Sequence, residues 1–166
     1  HYTALWFNEN GMNRALAFRD RLTMTGSISL AASNAFSIKN LNRGHAENLD
    51  AMRRQTAVHL KAGIPVTRVG VMAAFGCNYQ GDITPAQVVQ TVADGMAVAA
   101  EHGCTITDIS LADTMGWATP IRIERGIAAV RERWPDVRIG LHLHDTRGLA
   151  VANAHAGLKL GVSKFD

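Results

Sequence analysis

The 166 residues predict an α/β protein: a TIM (β/α)8 barrel that is incomplete over this length. Three observations carry that expectation. Short apolar runs alternate with longer helical stretches, several of which open on Thr-Pro or close on Gly. The apolar runs are nearly continuous, as in a parallel sheet covered by helices. A closed barrel takes roughly 250 residues, or about 30 per βα unit, so about five and a half units fill the length given. An open doubly wound sheet is the competing architecture, but it has no reason to stop inside a strand.

The elements follow in order. "YTALWF" (2–7) reads as a strand, followed by a helix near Met12 to Leu22. "SISLAAS" (27–33) reads as the second strand, with Ser33-Asn34 and Lys39-Asn40 in the loop after it and a helix from Ala46 to Ala62 closed by Gly63. "TRVGVMAAF" (67–75) leads through "FGCNYQGD" to a helix with Thr84 as N-cap, Pro85 at its first position and Gly103 beyond its end. "TDISLAD" (107–113) precedes Thr119-Pro120 and a helix to about Trp134. "RIGLHLHD" (138–145) precedes a helix ending near Leu160 with Gly161 as its stop, and "SKFD" begins another strand. That makes five βα units and the start of a sixth strand. Residues 1–166 are expected to be one partial barrel domain, with its first strands and its C-terminal part lying elsewhere.

Composition narrows the functional class. A chain 47% hydrophobic and 19% charged suits a core-forming globular domain. No apolar run approaches the ~18 residues of a membrane span, and no secretory leader is legible. Cys77 and Cys104 fit neither a disulfide framework nor a zinc spacing, so a reduced, cytoplasmic setting is expected. The net charge of +3 is spread along the chain, with no basic cluster to suggest nucleic acid.

In parallel α/β folds chemistry gathers at the C-terminal ends of the strands. Here those ends carry Ser33, Asn34, Asp113, Thr114, His142, His144 and Asp145. Residues two apart on a strand share a face, so His142 and His144 present their imidazoles together. The pair is either a metal site or an ordinary polar edge, and its position in a polar rim favours metal. Asp145 falls on the opposite face, where it holds a histidine or caps the helix. Asp113 has a bland alternative as a turn cap, Lys39 as a solvated charge, Cys77 as a small core residue and the Met residues as core filler. Arg147 sits where the helix dipole disfavours it, which implies a specific task. With an oxygen-rich complement the pair suits Mg²⁺ or Mn²⁺, the favoured expectation, and with a third nitrogen or sulfur Zn²⁺.

Together "FGCNYQGDITP", "ISLADTMGWATP", "LHLHDTRGLAVAN" and "ASNAFSIKNLN" resemble the 3-hydroxy-3-methylglutaryl-CoA lyase family, part of a wider group of metal-dependent TIM-barrel lyases and acyl-CoA condensing enzymes. The likeness implies retro-Claisen cleavage of a 3-hydroxyacyl-CoA to acetyl-CoA and a keto acid. It implies a divalent metal on His142 and His144, with His142 also in proton transfer. It assigns Asp113 to the catalytic group, Ser110 and Thr114 to the substrate site, and Lys39 and Asn40 to the CoA moiety. An acyl-CoA partner and a homo-oligomer are compatible with it. The chain departs from the family pattern at Asn34, Asn78, Ala112, Trp117, Ala118, Arg147 and Leu149. The family's Arg-Asp pair on the first strand, and the asparagine and cysteine-bearing glycine loop after the last, have no counterpart in these residues. Two rival readings are an acetyl-CoA/2-oxo acid condensing synthase, which "GCNYQGD" disfavours, and a non-catalytic barrel fragment that binds a partner.

Overall fold

The structure is a computed structural model and describes residues 2–6 and 8–166. Five strands form one sheet, β1 (Gly26–Ala31), β2 (Val66–Met72), β3 (Asp108–Ala112), β4 (Arg138–His142) and β5 (Lys164–Phe165). Every pairing is parallel, and the spatial order follows the chain order without a reversal. A doubly wound sheet needs a switch point where that order reverses; a barrel wall does not. The expected barrel topology is therefore observed over this stretch.

The helices are α1 (Glu9–Leu16), α2 (Asn34–Leu41), α3 (His45–Lys61), α4 (Pro85–Glu101), α5 (Pro120–Arg133) and α6 (Ala150–Lys159). The Thr84 hydroxyl accepts the Gln87 N–H while the Gln87 side chain accepts the Thr84 N–H, a reciprocal cap that fixes the start of α4. Ile109, Leu111, Ile139 and Leu141 point to the helical side and are all but inaccessible, as are Val88, Val92, Ile123 and Ile127 from the helices. Burying each such aliphatic side chain contributes about 1.5–3 kcal/mol. Where α4 crosses β2, a Cβ on Gly95 would come within 2.7 Å of Val69, so the close approach needs glycine. None of the helices among the described residues is long and apolar enough to cross a membrane.

Several expectations are corrected. Tyr2 makes only an isolated bridge to Leu22, Thr3 to Trp6 form no strand, and Phe7 lies outside the described residues. The edge of β1 that such a strand would join is already taken by α3: Asn48 Nδ2 donates to the Ser29 carbonyl at 3.3 Å and the Ser29 N–H points to Met52 Sδ at 3.3 Å. The Ser29 backbone groups on that edge are thus engaged without Tyr2 to Trp6. The helix expected from Met12 to Leu22 is instead α1, which starts earlier because the Asn8 side chain accepts the Gly11 N–H. Four complete βα units and the start of a fifth strand result. The segment after β1 is also helical, and Lys39 and Asn40 lie in α2 rather than in a loop.

Candidate functional site

Alternation along the strands builds the site. Alternate residues of each strand pack under the helices, while Ser27, Ser29, Arg68, Gly70, Ser110 and His142 turn to the other face and remain partly open. That second face is more polar than near-continuous apolar runs suggest, because serines and glycines interrupt them. In register, Ser110 stands between Gly70 and Gly140, and Ala112 stands beside His142.

β4 ends at His142, so His144 lies just past the strand, yet the two rings stay together with centroids 4.9 Å apart and planes at 84°. Each ring is held by its Nδ1. His144 Nδ1 lies 2.8 Å from the Asp113 carbonyl oxygen, and a carbonyl can only accept, so Nδ1 carries the proton. His142 Nδ1 lies 3.0 Å from the Asp166 carboxylate, which fixes the same tautomer. Both Nε2 atoms are thereby left with free lone pairs, the arrangement of a metal-ligating histidine backed by an oxygen acceptor. The His142 side chain is 44% exposed, open to a ligand. The donor chemistry fits two ligands of a divalent cation. Among the described residues no group of three or more His, Cys, Asp and Glu side chains gathers to complete a metal site.

Asp113 is 2% exposed and organises the loop that carries it. Its Oδ1 accepts the Ala118 N–H at 2.9 Å, its carbonyl accepts from Gly116 N–H and from His144, and its own N–H donates to the His142 carbonyl. Burial pushes its carboxyl above the usual range, against the pull of the Ala118 and Trp117 N–H groups and the nearby His144 and Arg147. Asp113 therefore reaches His144 through its backbone, while its carboxylate faces the loop. Thr114 Oγ1 accepts the Ala73 N–H at 2.8 Å, tying the end of β3 to the turn after β2. Asp145 Oδ1 accepts the Ala150 N–H at 2.9 Å and so starts α6.

The structure separates the CoA-assigned pair. Both residues are exposed on the last turn of α2, but only Asn40 borders a cavity of about 500 Å³ that extends to Ser29, Arg68 and Met72. Those three residues also border a smaller cavity of about 160 Å³ beside His142 and Asp166. Asn40 and His142 thus border neighbouring cavities that share a wall, and Lys39 lines neither. Asp166 carried no distinctive sequence signal. Its place follows from β5 pairing with β4, in which Asp166 N–H donates to Leu141 and Leu143 N–H to Asp166.

Three residues at which the sequence departs from the family pattern form one lattice over the rim. Trp117 Nε1 donates to Asn78 Oδ1 at 2.6 Å, joining the loops after β2 and β3. Arg147 Nε donates to the Gly116 carbonyl at 2.8 Å, joining the loop after β4. Gly76, at φ +147, lies so close to Trp117 that a Cβ would meet the indole at 2.6 Å.

The family model described as HMGL-like matches residues 8–166. The hydroxymethylglutaryl-CoA lyase of Bacillus subtilis (strain 168) is 33% identical over 165 residues, 99% of this chain and 52% of that protein. The (R)-citramalyl-CoA lyase of Chloroflexus aurantiacus is 34% identical over 167 residues, 99% of this chain and 49% of that one. Among solved structures, the crystal structure of a Bacillus subtilis HMG-CoA lyase superposes with a TM-score of 0.82 at 31% identity, covering 99% of this chain and 52% of that chain. The chain spans about half the length of the relatives it matches. Since the match runs through every strand and helix from α1 to β5, this chain belongs to the HMGL-like family.

Proposed function

We propose that residues 1–166 are part of one TIM-barrel catalytic domain and contribute the metal-holding rim of a carbon–carbon lyase. The substrate class is a 3-hydroxyacyl-CoA, such as 3-hydroxy-3-methylglutaryl-CoA, cleaved to acetyl-CoA and a keto acid. The single observation that supports this best is the pair His142 and His144, each anchored through Nδ1 and each with Nε2 free, at the C-terminal end of β4. The two relatives, both named as acyl-CoA lyases, point the same way.

In this reading His142 and His144 hold a divalent cation, Mg²⁺ or Mn²⁺ ahead of Zn²⁺, with its other ligands supplied from outside the pair. Such a cation, when bound, lowers the pKa of a coordinated hydroxyl and offsets negative charge on its oxygen. The residues of this chain do the rest. The Asp113 carbonyl keeps His144 in the correct tautomer, and Asp166 does so for His142. His142, hydrogen-bonded to Asp166 at the open mouth, is the residue assigned to proton transfer, a role that typically contributes about 10²–10⁴-fold. Ser110 and Thr114 border the substrate, and Asn40 on α2, without Lys39, borders the CoA moiety.

The test is release of acetyl-CoA from 3-hydroxy-3-methylglutaryl-CoA by the purified protein, before and after chelation. Release that stops with EDTA, returns with Mn²⁺ and falls at least about 100-fold in His142→Ala is the expected outcome. Release indifferent to EDTA and to His142→Ala contradicts the proposal. No release and no metal uptake leaves a barrel wall that only binds.

A further inference from the structure

Asn153 has no task in the account so far. It lies one turn into α6 and is completely inaccessible, an unfavourable place for a carboxamide. Its Nδ2 donates to the Ala118 carbonyl at 3.2 Å, while its Oδ1 has no partner among the described residues. Turning the amide over would set Oδ1 against that carbonyl, oxygen to oxygen, and would leave the amide donors without it. The side chain is thus placed for its bond to Ala118, with one acceptor left orphaned.

Ala118 is the far end of the loop that carries Asp113, and it is buried too deeply for water to replace a lost donor. Its N–H donates to Asp113 Oδ1 at 2.9 Å, and the Asp113 carbonyl accepts from His144 Nδ1 at 2.8 Å. The Asp113 N–H is held by the His142 carbonyl, but the direction of the Asp113 C=O is set by the loop that follows, which Ala118 closes. Apart from Asn153, the Ala118 carbonyl accepts among the described residues only from Arg147 Nη2, at a long 3.4 Å and from an exposed residue. The start of α6 is itself fixed by Asp145, the neighbour of His144, through its bond to the Ala150 N–H. One helix therefore grips both sides of the bond that orients His144. Asp145 anchors the histidine side, and Asn153 anchors the carbonyl side.

We propose that Asn153 is a positioning residue for His144: by holding the Ala118 carbonyl from within α6, it aims the Asp113 carbonyl at His144 Nδ1 and keeps the His144 Nε2 lone pair free beside His142. Asn153 acts only through the loop and touches neither imidazole. Its effect on the tautomer of His144 stands on geometry alone. Its effect on metal affinity rests on the reading of the histidine pair above, and the test keeps the two apart.

The first measurement is the His144 tautomer in the metal-free protein at about pH 8, where a free imidazole is neutral. Proton–nitrogen correlation spectra report it, and His144→Ala assigns the signal. The second is Mn²⁺ affinity by electron paramagnetic resonance. Asn153→Leu keeps the approximate size of the side chain and removes the donor and the orphaned oxygen together. Asn153→Ala, which adds no bulk, is the second variant. Val98→Ala weakens the separate core cluster beneath β1 and β2 and controls for a general loss of stability. The wild type should hold His144 as the Nδ1–H tautomer. Both Asn153 variants should show a mixture with the Nε2–H form and bind Mn²⁺ about 10- to 100-fold more weakly, the range for residues that orient a metal-bound histidine. Val98→Ala should match the wild type in both readouts. Asn153 variants that keep the wild-type tautomer or the wild-type Mn²⁺ affinity, or equal changes in Val98→Ala, overturn the role of Asn153. A tautomer shift in the Asn153 variants, with no Mn²⁺ uptake by the wild type, leaves the positioning role standing and overturns the metal reading.

Discussion

At the scale of single residues, three histidines show how a hydrogen bond decides what an imidazole does. His142 and His144 give their Nδ1 protons to oxygen and keep Nε2 free. His59 is the same tautomer with the opposite nitrogen engaged: its Nε2 accepts from Trp6 Nε1 at 3.0 Å, so the proton sits on Nδ1, which has no partner and lies buried against Gly26. His59 is 2% exposed, and burial lowers its pKa below the reference value of 6.5. The folded state therefore holds a neutral ring where the unfolded chain takes up a proton. Its contribution to stability is full above pH 6.5 and is lost as pH falls below that value. Chemical denaturation from about pH 8 to about pH 5 should show stability declining below the reference value, and His59→Gln, which keeps an acceptor for Trp6, should flatten that decline. A flat wild-type profile contradicts the burial of a neutral imidazole. Metal loss at the rim is separable, because excess Mn²⁺ restores binding there and leaves the His59 effect in place.

At the scale of elements, the loops after β2, β3 and β4 act as one unit through Trp117, Asn78 and Arg147. Gly76 is the point where they press together. Gly76→Ala introduces a Cβ 2.6 Å from Trp117 at a backbone angle that side chains rarely adopt, so it should cost about 1–3 kcal/mol. Thermal unfolding measures this, and an unchanged Tm contradicts the packing described. How far such elements are legible depends on where their determinants lie. Thr84-Pro85 and Gln87 announce α4 within the sequence, because a capping box is local. Residues 34–41 gave no such signal: the Ser33 hydroxyl caps them, but no acidic residue follows in the first turn and only Phe36 and Ser37 are buried. Tyr2 to Trp6 misled in the other direction, since their strand-like letters say nothing of Asn48 and Met52 occupying the edge of β1.

At the scale of the whole molecule, the polar face of the sheet and the paired imidazoles follow from a single property, side-chain alternation on parallel strands. The histidine pair was legible because H-x-H at a strand end constrains its own geometry. The backing oxygens were not: Asp166 reaches His142 only through the β4–β5 pairing, and Asp113 serves His144 with a carbonyl, which no residue type announces. The central claim is that these two rings bind a divalent ion. Titration of the protein with Mn²⁺, followed by electron paramagnetic resonance of the free ion, tests it most directly. We expect one tight site per chain in the wild type and affinity at least about 100-fold weaker in His142→Ala and in His144→Ala. No stoichiometric uptake, or uptake unchanged in both variants, contradicts it.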